Sequence, residues 1–190
     1  MRSLLLGWWF LGIFCQMPLM ATWSIVLADE STGEVGVGTV TCLTNFDLLA
    51  IVPVVVVERG AAAVQASGDF NGTRRPIIFE GFQNGVTPGM ILTQVAGIAG
   101  HESRQYGMVD TFGEAVTFSG NQTLSWAGGV TGSQGSLHYA IQGNILVGAC
   151  VVNDIEAAIL NTPGDMPAKL MAGMQAAKIA GGDGRCSCPG

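Results

Sequence analysis

Thr22 is the residue in this chain best equipped for chemistry, because of what stands before it. Arg2 is followed by an apolar stretch, Leu4 to Cys15, and then by Met17-Pro18-Leu19-Met20-Ala21. A basic start, an apolar segment of secretory length and a small residue at the expected cleavage point are the parts of a removable export signal. Cleavage after Ala21 makes Thr22 the first residue of the mature chain. An N-terminal threonine carries a hydroxyl nucleophile and, on the same residue, an α-amine that can act as its base. The amine's ordinary pKa of about 7.7–8.0 leaves much of it neutral near pH 8, able to accept the hydroxyl proton. The chain is therefore read as a signal peptide, residues 1–21, and one secreted or periplasmic domain, residues 22–190.

The elements that must position Thr22 follow from pattern. Thr22 to Ala28 alternates as a strand, with Trp23, Ile25 and Leu27 on one face and Thr22 and Ser24 on the other. Turn residues Asp29 to Gly33 lead into Val35 to Val40, which makes a hairpin. The same grammar recurs at Tyr106 to Asp110, Thr111-Phe112-Gly113 and Glu114 to Phe118. Ile51 to Val57 and Ala61 to Ala66 are continuous apolar runs, read as strands buried on both faces. Gly85-Val86-Thr87-Pro88 reads as one helix stopping and another starting, with Thr87 as cap, Pro88 at the first position and Gly100 at the end. Leu137 to Gln142 is a strand, Val147 to Leu160 a helix, and Asp165 caps a last helix through Ala180. Strands, a helical middle, strands again and two terminal helices argue an α+β protein with antiparallel sheets rather than βαβ winding.

Composition narrows the partners. The formal charge is −6, and −7 once Arg2 is lost, with lysine only at Lys169 and Lys178. Such a surface repels phosphate backbones, so no nucleic-acid partner is expected. No run after Ala21 approaches the roughly 18 apolar residues of a membrane helix, so no membrane association is expected after signal cleavage. His101 and His138 stand alone and Cys186-Ser187-Cys188 lacks the four ligands of a structural zinc site, so neither metal nor other cofactor is expected. Cys42 and Cys150, in apolar surroundings, read as buried thiols, while Cys186 and Cys188 lie in a polar tail. The four cysteines left after cleavage allow three pairings, which sequence does not rank. Twenty-eight glycines point to many tight turns and closely approaching backbones.

Several segments together carry a resemblance. Thr22-Trp23-Ser24-Ile25-Val26 running on to Asp29 and Thr32-Gly33-Glu34-Val35-Gly36-Val37 resembles the opening of the family catalogued as domain of unknown function 1028. Further matches are Val64-Gln65-Ala66, Arg104 to Asp110, Phe118-Ser119-Gly120, Trp126-Ala127-Gly128, Gln142 to Leu146 and Gly181-Gly182-Asp183-Gly184-Arg185. That family is grouped with the N-terminal-nucleophile (Ntn) hydrolases. The resemblance implies a four-layer αββα sandwich with the first residue of the first strand as nucleophile, and hence a small amide or peptide-like substrate. It departs from the group in two ways. The lysine that several Ntn hydrolases place near the nucleophile has no counterpart before Lys169, and relatives continue beyond the Gly-Gly-Asp motif with a further apolar strand. The resemblance therefore also implies a truncated C-terminal end, a last strand supplied by another chain, or an open sheet edge through which copies associate.

Within that frame each remaining candidate has a role. Asn144 is the expected oxyanion donor, although Gly143-Asn144 reads equally as a left-handed turn. Ser24, Gln65 and Ser67 are expected to line the substrate pocket. Asp183 and Arg185 are expected to orient the Thr22 amine or to bind a carboxylate. The competing reading is a non-catalytic secreted domain that uses the same sandwich for binding or self-assembly.

Overall fold

The computed structural model describes residues 22–45 and 47–184, so the export signal and Arg185 lie outside the described residues. The described residues begin with a hairpin. Strand β1 (Thr22–Asp29) returns as β2 (Val35–Thr41), and Asp29 closes the turn by accepting the Ser31 and Thr32 N–H groups at 2.9 and 3.0 Å. Strands β3 (Pro53–Val56) and β4 (Gly60–Ala66) follow, then helices α1 (Arg74–Gln83) and α2 (Pro88–Ala96). A second hairpin, β5 (Arg104–Asp110) and β6 (Ala115–Ser119), repeats the first turn: Asp110 accepts the Phe112 and Glu114 N–H groups at 3.0 and 2.8 Å. Strands β7 (Ala127–Gln134) and β8 (Leu137–Asn144) precede helices α3 (Cys150–Asn161) and α4 (Met166–Ile179).

The strands form two antiparallel sheets, ordered β2-β1-β8-β7 and β3-β4-β5-β6. Period-2 alternation assigns each strand a helix-facing and a sheet-facing side. Trp23, Ile25 and Leu27 of β1 and Tyr139 and Ile141 of β8 pack on Val151, Ile155 and Ile159 of α3 and on Met166 and Ala177 of α4. On the other sheet, Val64, Tyr106 and Met108 pack on Ile78 and Phe82 of α1 and on Ile91 and Val95 of α2. Between the sheets, Val26, Ala28 and Ala140 meet Ala61, Ala63 and Val109. These inner residues are small, so the two sheets approach closely. Each fully buried Ile, Leu or Phe contributes about 1.5–3 kcal/mol relative to exposure, which puts most of the apolar stabilisation in the two helix-facing layers.

Several sequence readings change in detail. Ile51 to Val57 is not buried on both faces: Val52, Val54 and Val56 are buried, but Val55 is 44% and Val57 75% exposed, because β3 is an edge strand. Strand β4 is buried along its whole length, as expected of a central strand covered on both sides. Helix α2 ends at Ala96, ahead of Gly100, and Thr87 occupies its N-cap position without a side-chain cap bond. Helix α3 starts at Cys150, three residues after Val147, whereas Asp165 caps α4 as expected by accepting the Ala168 N–H at 3.0 Å. Strand β7 escapes the period-2 reading because Gly128, Gly129 and Gly132 remove the apolar alternation. Cys150 is an exposed free thiol and Cys42 is disulfide-bonded, so neither is the buried thiol expected. Among the described residues, no helix is long and apolar enough to cross a membrane.

Candidate active site

The inter-sheet layer changes character along the strands. At the hairpin-turn end it is aliphatic; at the end where β1 begins it becomes polar. Thr22 heads β1 and stands across from Thr41 of β2 on one side and Asn144 of β8 on the other. Two residues on, Ser24 stands between Thr39 and Gln142. The facing sheet brings Gln65 from the end of β4 opposite Gln105 at the start of β5, with Ser119 beyond it on β6. Thr22, Ser24, Gln65, Gln105 and Gln142 are fully buried and Asn144 nearly so. A buried polar group without a partner costs free energy, so most members of this layer satisfy one another.

Gln65 is the hub. Its Nε2 donates to the Thr22 carbonyl and to Gln105 Oε1, both at 2.9 Å, and its Oε1 accepts the Ser24 hydroxyl at 2.5 Å. Ser24 Oγ also lies 3.0 Å from the Thr39 hydroxyl. Gln105 carries the chain across: its Nε2 donates to Ser119 Oγ at 2.7 Å and to the Gly143 carbonyl at 2.8 Å. Its Oε1 also accepts the Asn144 Nδ2 at 2.8 Å. Thr22, Ser24, Gln65 and Asn144 are thus joined through two amides. The Gln142 amide sits directly over Gly107, where any Cβ would overlap it, and both its polar atoms are buried without a hydrogen-bond partner.

Two of the strands that enter the layer, β4 and β8, end in strained backbone. Ala66, next to Gln65, has φ +68°, and Ile145, next to Asn144, has φ +55°. A non-glycine residue in this left-handed region costs roughly 1–3 kcal/mol and persists only where its surroundings hold it; such residues cluster at functional sites. Gly143 and Asn144 themselves continue β8, so the left-handed turn read there from sequence falls one residue later, on Ile145. Ile145 is β-branched, a type that sequence rules do not assign to that conformation.

The other expected site residues sit around this end. Asp183 is buried, pairs as an isolated bridge with Leu146 just past β8, and its Oδ2 accepts the Cys42 N–H just past β2 at 3.5 Å. It therefore lies at the Thr22 end of the first sheet. Ser67 is buried beyond Ala66, its N–H bonded to the Ser103 carbonyl at 3.2 Å. Four surface grooves are lined without Thr22, and one of them reaches Thr39.

Sequence reasoning missed Gln105, Gln142 and Thr39. The signal was available for Gln105, which shares strand parity with Val109 and so must face the other sheet. A second buried polar cluster was also missed, on the helix side of the second sheet. Asp69 accepts the Arg74 and Arg75 N–H groups at the start of α1, and Arg74 donates from Nε to the Tyr106 hydroxyl at 2.9 Å and from Nη2 to the Ala99 carbonyl at 2.6 Å. Burial pushes the Tyr106 phenol up, against the pull of Arg74, and burial together with the Arg74 charge lowers Arg104. Burial likewise lowers His101, whose ring stacks on Phe118 and Tyr106. This cluster ties α1, α2 and β5 together.

The fold and site define a mixed α+β protein with, among the described residues, two antiparallel sheets and four α-helices, and a buried amide and hydroxyl layer at the start of strand β1. The family model for DUF1028, a family of unknown function, matches residues 22–188, and the chain belongs to that family. Its structure is similar to the crystal structure of protein SPO2555 from Silicibacter pomeroyi, which carries the same family designation. The two share 22% identity with a TM-score of 0.74, over 84% of this chain and 71% of that one. No curated protein matches the sequence.

Proposed function

We propose that the protein is an exported N-terminal-nucleophile amidohydrolase, with the layering of an αββα Ntn sandwich and with Thr22 as its nucleophile. The observation that carries the reading is that Thr22 heads β1 across from Asn144, with its carbonyl held by the Gln65 amide. In the mature chain the Thr22 hydroxyl attacks the carbonyl carbon of a small amide or peptide-like bond, and its proton passes to the Thr22 α-amine. The tetrahedral oxyanion is met by the second N–H of Asn144, the first being engaged by Gln105, or by backbone N–H groups at the strand ends. The C–N bond breaks as the amine leaves with the proton, and water, activated by the same α-amine, hydrolyses the acyl–Thr22 ester. On this reading Asp183 and Arg185 orient the amine or bind a substrate carboxylate, and Ser24, Gln65 and Ser67 border the acyl group. The chemistry uses no metal or other cofactor.

The test is the mature N-terminus together with an acyl probe. Protein recovered from the periplasm or medium is expected to begin at Thr22 by intact mass, and to form a covalent adduct on Thr22 with a broad amide or β-lactone reagent. A correctly processed protein that forms no adduct returns the reading to a non-catalytic exported module. That second reading draws on the apolar edge of β3 described next.

A further inference from the structure

Strand β3 is an edge of the second sheet. Its pairing with β4 and the Val64 N–H to Val52 carbonyl bond set the ladder alternation, so Val52, Val54 and Val56 bond inward. The backbone groups of Pro53 and Val55 therefore point away from the sheet. Edge strands are normally blunted by charge; here the strand reads Pro53-Val54-Val55-Val56, and Pro53 removes only one donor. Exposed apolar side chains gather around it: Val55 on the strand, Val57 just after it, Leu49 before it, Met171 on α4 and Phe79 on α1. Three grooves converge on Val55. One of about 380 Å³ lies against Met166 and Leu170 of α4, and one of about 500 Å³ against Met171 and Met174. The third, of about 400 Å³, lies against Arg75 and Phe79 of α1.

We propose that this edge is the contact of a symmetric dimer, in which β3 of two copies pair antiparallel about Val55. The geometry closes on itself. With Val55 opposite Val55, the two residues exchange both N–H···O bonds, and Val57 of each copy donates to the Pro53 carbonyl of the other, which needs no N–H from Pro53. A two-fold contact is self-complementary, so each side chain meets a groove on the other copy. Charge selects this occupant and this direction. Antiparallel pairing carries Glu58 of one copy to the Pro53 end of the other, where Arg75 lines the groove. The Arg75 Nε is buried without a hydrogen bond, 3.9 Å from Asp69 Oδ2, and its side chain is 26% exposed, so the guanidinium has capacity for a second carboxylate. A parallel pairing would set Glu58 beside Glu58 and Arg75 beside Arg75. The dimer is independent of the Thr22 chemistry.

The experiment measures association of the full chain by sedimentation velocity and light scattering from micromolar to sub-millimolar concentration. The parent chain is expected to be dimeric in the upper range. Val55→Lys, which sets two like charges opposite each other on an exposed position, is expected to raise the dissociation constant at least about a hundredfold. Glu58→Arg is expected to weaken the dimer and Glu58→Arg/Arg75→Glu to restore it. Because Arg75→Glu removes a contact with Asp69, a geometric test stands beside it. Paired residues at Cα spacing of about 5.5 Å can form a disulfide, so Val55→Cys is expected to cross-link under mild oxidation, and Val57→Cys, which faces Pro53, is not. A chain that is monomeric throughout overturns the proposal. So does a dimer that ignores Val55→Lys while Val55→Cys fails to cross-link, or a monomer whose β3 edge takes up only added extended peptide.

Discussion

Replacing Gln65 by leucine isolates the role of the buried amide layer. The substitution keeps the approximate volume and removes the hydrogen bonds of the hub: to the Thr22 carbonyl, to Gln105 Oε1, to the Gln142 carbonyl and from the Ser24 hydroxyl. Gln105 Oε1 keeps its bond from Asn144, and Ser24 keeps the neighbouring Thr39 hydroxyl. These groups each lose one partner in a buried layer, at about 1–3 kcal/mol for a buried group left short of a hydrogen bond. The expected loss is about 2–4 kcal/mol, and for a chain of this length about 5–15 °C in melting temperature. Chemical denaturation of the parent, Gln65→Leu, Ser24→Ala and the double variant measures it. Because Ser24 and Gln65 share one bond, the double variant is expected to lose less than the two single losses added. A Gln65→Leu loss below about 1 kcal/mol, or strict additivity with Ser24→Ala, refutes the idea that this amide organises the layer.

Thr22→Ala is expected to abolish amide hydrolysis and the covalent adduct while leaving the circular dichroism spectrum unchanged, and Asn144→Ala to slow turnover by roughly 10²–10³ if its side chain is the oxyanion donor. An active Thr22→Ala enzyme ends the N-terminal-nucleophile mechanism. Both tyrosines are buried, and burial with the Glu156 hydrogen bond and charge holds Tyr139 up at about 12. Native protein is therefore expected to show no phenolate absorbance step near pH 10. A phenol raised on folding contributes stability that is present below its unfolded pKa and lost as pH rises through its folded value, so alkaline unfolding is expected as pH climbs from about 10 toward 12. A phenolate step near pH 10 in folded protein contradicts it. Gly60→Ala would bring a Cβ to 2.6 Å from the Phe82 ring and 2.8 Å from the Val109 carbonyl, and is expected to cost about 1–3 kcal/mol in denaturation, against near neutrality for Gly97→Ala, whose φ of −70° suits any residue and whose Cβ would meet only ordinary contacts.

What could be read in advance was whatever a short window of chain determines. Alternation in Thr22 to Ala28 placed Trp23, Ile25 and Leu27 on the helix-packed face and Thr22 and Ser24 on the opposite one, because side-chain direction in a strand depends only on parity. Turn chemistry at Asp29 and Asp110 and the Asp165 cap were equally local. Gln65 and Asn144 were singled out singly, but their connection through Gln105 was not, since their hydrogen bonds span some forty residues of chain. Strand β7 was hidden because its pairing energy comes from β8 rather than from its own glycine-rich residues.

By itself, the sequence determined strand parity, turns, caps and the α+β order of elements, all of which rest on backbone propensity and near-neighbour sterics. Only the tertiary structure decided that Ile51 to Val57 would be an edge with Val55 and Val57 outward. Only it decided that Ala66 and Ile145 would be held left-handed, and that three glutamines from three strands would share one buried layer with Thr22. Those outcomes depend on which strands become neighbours. Sheet order is settled by long-range burial and hydrogen-bond satisfaction, not by local preference.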